Sequence, residues 1–378
     1  MIVTLRNQLR PADQSQLHFR QIICAVVVAS VAAKAPAEPS PVVEAIQGES
    51  QSLVEVPANN QQSSEVDDPF VEITPSMQIA IDRGLDYLSG EQQDDGSFGS
   101  GPHYGHHVAI TSLAAMAFMS EGSLPNRGKY AVQVERGLDF VLANCTASGL
   151  IAANVGHGPM YGHAFSTLFL AEIYGMGGRD DLKEKLRKAI RLIEHAQNHE
   201  GGWRYQPVAA DADLSVTVCQ IMALRAARNV GIKVRKDVID AGIEYIRSAQ
   251  NPDGGFRYML STGASGFDRT AGAVSSLFYA GLAGGEEIET GLKYMERYLP
   301  GKGAPGTHYF YGQYYAVQAM YQAGGIHWQN WFPAIRDELL DKQNENGSWP
   351  GQAGPEYGTA MALIVMQIPN RLLPIFQR

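Results

Sequence analysis

Polar and apolar residues follow the helical period along most of this chain, and they do so in one recurring phrase. From Ile79 to Leu88 the apolar residues Ile81, Leu85 and Leu88 fall on one stripe with charges opposite, the pattern of an amphipathic helix. The phrase Ile81-Asp82-Arg83-Gly84-Leu85-Asp86-Tyr87-Leu88 returns as Val134 to Val141, Leu186 to Ile193, Ile239 to Ile246 and Ile288 to Met295, and more loosely around Ala334. Its small-residue column, Gly84, Gly137, Ala189, Gly242, Gly291 and Ala334, is spaced by 53, 52, 53, 49 and 43 residues. A fixed period of this size signals a repeat architecture. Glycine inside a helix costs about 1 kcal/mol relative to alanine, so a column of it predicts close contact with a neighbouring helix.

Each repeat carries a second helical pattern that is apolar nearly all round, as in Thr111 to Met119, Val216 to Leu224, Ser275 to Leu282 and Met361 to Ile368. Such a helix is buried. Gly122, Gly177, Gly231, Gly284 and Gly324 stand where these inner helices are expected to end. A turn separates the two patterns. Gln93-Asp94-Asp95-Gly96-Ser97-Phe98 recurs as Asn198 to Trp203, Asn251 to Phe256 and Asn344 to Trp349, with degenerate versions at Thr146 to Gly149 and Pro300 to Gly306. Asn, Asp and Gly supply the left-handed backbone that stops a helix, and the aromatic packs the turn down. Six outer and six inner helices predict an all-α fold: an α/α toroid, or barrel, of six helical hairpins over residues 71–378, with the inner helices lining the centre.

The Gln-x-x-Asp-Gly-Gly-Phe/Trp turn at this spacing resembles the repeat shared by squalene and hopene cyclases and by protein prenyltransferase β-subunits. The resemblance covers about residues 75–378 and all six units. It implies the terpenoid cyclase and prenyltransferase toroid, here with room for a single domain.

Composition narrows the picture. The 378 residues are 45% hydrophobic, enough for one large core, and the net charge of −9 makes nucleic acid an unsuitable partner. Residues 1–33 read as a signal peptide, with Arg6, Arg10 and Arg20 ahead of the apolar stretch Ile22 to Ala33 and small residues at Ala33, Ala35 and Ala37. That stretch is too short to span a bilayer. Residues 34–70 are rich in Pro, Glu, Gln and Ser without periodicity, the composition of a disordered linker. The expectation is an exported protein of the periplasm or cell envelope, with no transmembrane segment in the mature chain and room for an envelope protein partner. Cys145 and Cys219 read as two buried free thiols.

Candidate chemistry gathers at the starts of the inner helices. Aligning their apolar columns gives Tyr104-Gly105-His106, Tyr161-Gly162-His163, Asp213-Leu214-Ser215, Asp268-Arg269-Thr270, Tyr311-Gly312-Gln313 and Tyr357-Gly358-Thr359. In a ring these six starts converge at one mouth, where free N–H groups suit acidic side chains and anions. Asp213 and Asp268 fit an N-cap role there as well as a chemical one. Five of the ten histidines, His103, His106, His107, His157 and His163, fall in two adjacent turns, and the alignment makes His106 and His163 equivalent. They read as polar lining, satisfied hydrogen bonds or metal ligands; without standard ligand spacing no metal or other cofactor is assigned. Phe165, Phe169, Tyr279, Tyr309, Tyr311, Tyr314, Tyr315 and Tyr321 are core aromatics or a π-faced lining.

The resemblance bears on two of these segments. Asp211-Ala212-Asp213-Leu214-Ser215 is similar to the Asp-x-Asp-Asp-Thr motif of class II terpene cyclases, whose middle Asp protonates an alkene or epoxide. It implies Asp213 as general acid tuned by Asp211, with Leu214 in place of the third Asp. Asp268-Arg269-Thr270 and Phe310-Tyr311-Gly312 take the slots of the prenyltransferase zinc ligands with Thr for Cys and Gly for His, so that zinc site is absent. The implied function is a terpene-cyclase-like protein holding or converting an isoprenoid or other apolar lipid. Asp211, Asp213 and Asp268 are its candidate catalytic groups, and Tyr104, His106, Tyr161, His163, Ser215, Thr270, Tyr311, Tyr315 and Tyr357 its candidate cavity residues. A non-catalytic scaffold on the same toroid and a histidine-based metalloenzyme remain open beside it.

Overall fold

The computed structural model describes residues 73–153, 155–156, 158–177, 179–302, 306 and 308–377. The segments expected to be a signal peptide and a linker, and His157, lie outside them. The outer helices are α1 (Pro75–Glu91), α4 (Ala131–Ala143), α6 (Asp180–Ala196), α8 (Lys236–Ser248), α10 (Glu286–Glu296) and α12 (Gly325–Lys342). The inner helices are α3 (Val108–Glu121), α5 (Met160–Gly177), α7 (Leu214–Asn229), α9 (Phe267–Tyr279), α11 (Tyr309–Ala323) and α13 (Pro355–Met366). One short helix, α2 (Gly101–Tyr104), precedes α3. Each inner helix packs on the next in chain order, and α13 returns to α3, which closes a ring of six. Among the described residues no helix is long and apolar enough to cross a membrane.

The glycine column does what its placement predicts. A Cβ on Gly84, Gly242 or Gly291 would lie 2.7 Å from Trp349, 2.5 Å from Ile221 or 2.4 Å from Val274, side chains of adjoining elements. Gly137 is looser, with its nearest neighbour at 3.5 Å. The turns hold the repeats together. In four of them one glutamine amide bridges two units: Gln92 donates to the Gly96 and Gln133 carbonyls, Gln197 to Gly201 and Val238, Gln250 to Gly254 and Glu287, and Gln343 to Gly347 and Ala80. The last bridge joins the sixth unit to the first. The turn glycines Gly96, Gly201, Gly254 and Gly347 have φ of 84–94°, and a Cβ on any of them would strike a backbone carbonyl of the next unit within 2.5 Å. Gly149 makes the same approach to Lys188, so the second turn, degenerate in sequence, keeps the contact.

A second hydrogen bond sets the register of the inner helices. The backbone N–H of each turn aromatic donates to a threonine hydroxyl: Phe98 to Thr111, Trp203 to Thr217, Phe256 to Thr270 and Trp349 to Thr359, at 2.9–3.0 Å. In the second unit Ile151 N–H donates instead to Nδ1 of His163 at 3.2 Å. Thr359→Val is expected to cost about 1–3 kcal/mol in urea unfolding, because it strands the buried Trp349 N–H.

One boundary expectation shifts. The fourth inner helix ends at Tyr279, with Gly281 (φ 82°) rather than Gly284 turning the chain, whereas Gly231 (φ 80°) turns it just past the end of α7 as expected. The thiols are free, with Cys219 buried and Cys145 half-buried. The C-terminal tail packs against the C-terminal half of α5. Leu373, Ile375 and Phe376 are buried, Ile375 N–H donates to the Glu172 carboxyl at 3.1 Å, and the Phe376 ring meets Tyr314 edge-on.

Candidate functional site

The threonine clasp fixes which residues face the centre. Two positions before it stand Ala109, Tyr161, Ser215, Asp268 and Tyr357; Tyr311 of α11, a helix without the clasp among the described residues, joins them, and all six line a single cavity of about 760 Å³. This register corrects the sequence alignment. His163 matches Thr111, not His106, and Ser215 sits one layer above the clasp.

Below the ring the wall is apolar, with Ile110 and Leu113 from α3 and Phe165 from α5. Above it the rim carries His103 and Tyr104 of α2, His107, Arg269, His308 and Gln352. Tyr205 and Tyr258, which follow the third and fourth turns, complete the wall and share a very short hydroxyl–hydroxyl hydrogen bond. The Arg204 guanidinium lies over the Tyr205 ring, 5.2 Å from its centroid. Asp268 is the one carboxylate among the described lining residues. Burial holds the Tyr161 and Tyr311 hydroxyls well above their ordinary range, so they stay protonated donors.

Several expected site residues do other work. His163 is fully buried and uses both nitrogens, Nδ1 accepting from Ile151 and Nε2 donating to the Ala189 carbonyl at 3.2 Å. His106, in left-handed backbone at φ 51°, turns away to Asp95 and Ser97. Thr270 is a clasp residue. Tyr315 lies beneath the cavity, its hydroxyl 3.4 Å from the Cys219 sulfur. Asp211 is exposed and paired with Arg204 at 2.7 Å. Asp213 is wholly buried but does not line the cavity. It caps α7 through Oδ1, which accepts from Val216 N–H at 2.9 Å, while Oδ2 lies 3.9 Å from Arg204. Burial raises its pKa to about 6 against the pull of Val216 N–H, the Tyr258 hydroxyl and Arg204. Among the described residues no group of three His, Cys, Asp or Glu side chains is placed to hold a metal.

Tyr205, Tyr258 and His308 are lining residues that the inner-helix alignment passed over. The first two had a signal: Gly202-Trp203-Arg204-Tyr205 and Gly255-Phe256-Arg257-Tyr258 repeat an Arg-Tyr pair after the turn in consecutive units.

The family profile described as the prenyltransferase alpha-alpha toroid domain matches residues 10–146 and 129–299, well over half of the sequence. The chain belongs to that family. Solved structures similar to this toroid-domain protein span several chemistries. A type II terpene cyclase from Scytonema, solved with geranylgeranyl dihydroxybenzoate, superposes with a TM-score of 0.59 at 12% identity, covering 81% of this chain and 99% of its own. A cellobiose 2-epimerase from Spirochaeta thermophila gives 0.60 at 15%, covering 79% and 98%. An alpha-mannanase from Bacteroides thetaiotaomicron gives 0.58 at 10%, covering 80% and 97%. At these identities the likeness is one of fold. No curated protein matches the sequence significantly.

Proposed function

We propose that this toroid takes an amphiphilic, unsaturated lipid of the isoprenoid class into its cavity, with the chain against the apolar wall and the polar end at the rim. The observation that carries the reading is the composition of that wall. Six tyrosines, Tyr104, Tyr161, Tyr205, Tyr258, Tyr311 and Tyr357, surround an apolar floor of Ile110, Leu113 and Phe165. Aromatic faces attract double bonds and developing carbocations, and the volume lies in the range of small-molecule sites. Glycoside hydrolysis, the chemistry of the mannanase, ordinarily needs two carboxyl groups across the cavity. Asp268, the single carboxylate among the described lining residues, speaks against it here.

The catalytic form of the reading makes Asp213 the proton source. Its raised pKa supports that role; its place outside the lining, with Oδ2 lacking a hydrogen-bond partner among the described residues, sets it one step back from the cavity. The scaffold form is favoured by Leu214, which removes a carboxylate from the acid motif, and by the cap that occupies Oδ1. The N-terminal pattern supports action in the cell envelope.

Mass spectrometry of organic extracts from natively purified protein tests the lipid reading. A stoichiometric isoprenoid is the expected result, and a folded protein with an empty extract counts against it. Where a conversion is found, Asp213→Asn is expected to lower kcat at least a hundredfold with KM little changed; an unchanged kcat leaves the scaffold form.

A further inference from the structure

We propose that His107 is the cavity's fixed hydrogen-bond donor and that the ligand presents to it a neutral acceptor oxygen, a hydroxyl, ether or carbonyl. The inference rests on the amphiphile reading above and names the polar group that the rim selects.

The argument starts at the cap of α3. His107 has extended backbone (φ −101°, ψ 124°) and its Nδ1 accepts from Ala109 N–H at 3.2 Å. A backbone amide only donates, so Nδ1 must offer a lone pair and the ring proton belongs on Nε2. Protonating Nδ1 would set N–H against N–H at the positive end of a helix. Burial acts in the same direction and pushes the ring down to about 4. The imidazole is therefore neutral at ordinary pH, in one tautomer fixed by the main chain.

The ring lies at the cavity wall. His107 belongs to the lining, its ring packs near Tyr104 (5.9 Å between centroids), and a Cβ on Gly162 of α5 would lie 3.9 Å from Cε1. No described residue accepts from Nε2. His163 shows the contrast: it is fixed in the same tautomer by Ile151 but donates Nε2–H to the Ala189 carbonyl. A donor fixed in place and lacking an acceptor among the described residues favours a ligand oxygen, and a ligand hydroxyl buried there without a partner carries a desolvation penalty.

The test is equilibrium binding of geranylgeraniol and of the corresponding hydrocarbon lacking the hydroxyl, on the full chain. His107→Phe is expected to weaken the alcohol about tenfold and leave the hydrocarbon within about twofold. His107→Asn, which keeps a capping oxygen and restores an N–H, is expected to recover most of the loss. Nitrogen NMR at pH 7 should show the Nε2–H tautomer. Equal weakening of both compounds, or an Nδ1–H tautomer, overturns the inference while the cavity reading stands. Failure of both compounds to bind the folded wild type overturns that reading and this inference with it.

Discussion

Trp349→Ala is expected to lower the unfolding free energy by about 3–5 kcal/mol, a large part of the 5–15 kcal/mol typical of a domain. The side chain is wholly buried. Its Nε1 donates to the Leu339 carbonyl at 2.7 Å, its backbone N–H donates to Thr359, and its ring fills the space that the missing Cβ of Gly84 leaves open. It thus ties α12, α13 and α1 together at the seam where the ring closes. Truncation opens a cavity at that seam and removes one hydrogen bond from its core. A urea titration against Val132→Ala, a side chain 61% exposed and expected to stay within about 0.5 kcal/mol, gives the comparison. Equal midpoints for the two variants would show that the seam does not carry the ring.

The second large effect is a loss of stability with rising pH, traced to Glu172. Burial raises this carboxyl from an ordinary 4.5 to about 8, partly opposed by Ile375 N–H. The sign is the reverse of that for a salt-bridged acid. Below about 4.5 both folded and unfolded chains hold the proton and there is no penalty; above it the unfolded chain ionises first, so stability falls until the folded carboxyl ionises near 8. Other buried groups act lower on the scale. His107 and His163, pushed down to about 4 mainly by burial, add stability as pH rises to 6.5, and Asp213, raised to about 6, removes some up to that point. Between pH 6.5 and 8 Glu172 stands alone among these groups. Wild type is expected to lose about 2 kcal/mol across that window, and Glu172→Gln, which keeps an acceptor for the tail, to stay flat. Parallel stability curves would refute the assignment.

How much of this was legible in the sequence depends on the range of the signal. The helices and their sixfold count follow from local periodicity, and the glycine column announced its packing because a Cβ there has nowhere to go. The register of the inner helices was not legible. Those helices are apolar all round, so their columns slide freely against one another. The clasp that pins them spans 13, 14, 14 and 10 residues in the four units where threonine makes it. In the first unit the alignment put Tyr104 and His106 where Ala109 and Thr111 stand. Tyr161, Asp268, Tyr311 and Tyr357 line the cavity where the alignment placed them, whereas in the third unit, whose clasp spans the same 14 residues as the fourth, the apolar columns slid by two and put Asp213 where Ser215 stands. Asp213 shows the limit of motif reading: the same aspartate that matches an acid motif is also the residue a helix start requires as its cap.

Ala109 now offers the most direct test. It lies in the first turn of α3 with its methyl facing the cavity, so Ala109→Trp places an indole in the space assigned to the lipid. Titration calorimetry of geranylgeraniol on wild type and on this variant, with circular dichroism to show both folded, is the measurement to make. One equivalent bound by wild type and none by the variant is the predicted result. Equal binding by both would put the lipid site elsewhere, and no binding by either would contradict a lipid cavity.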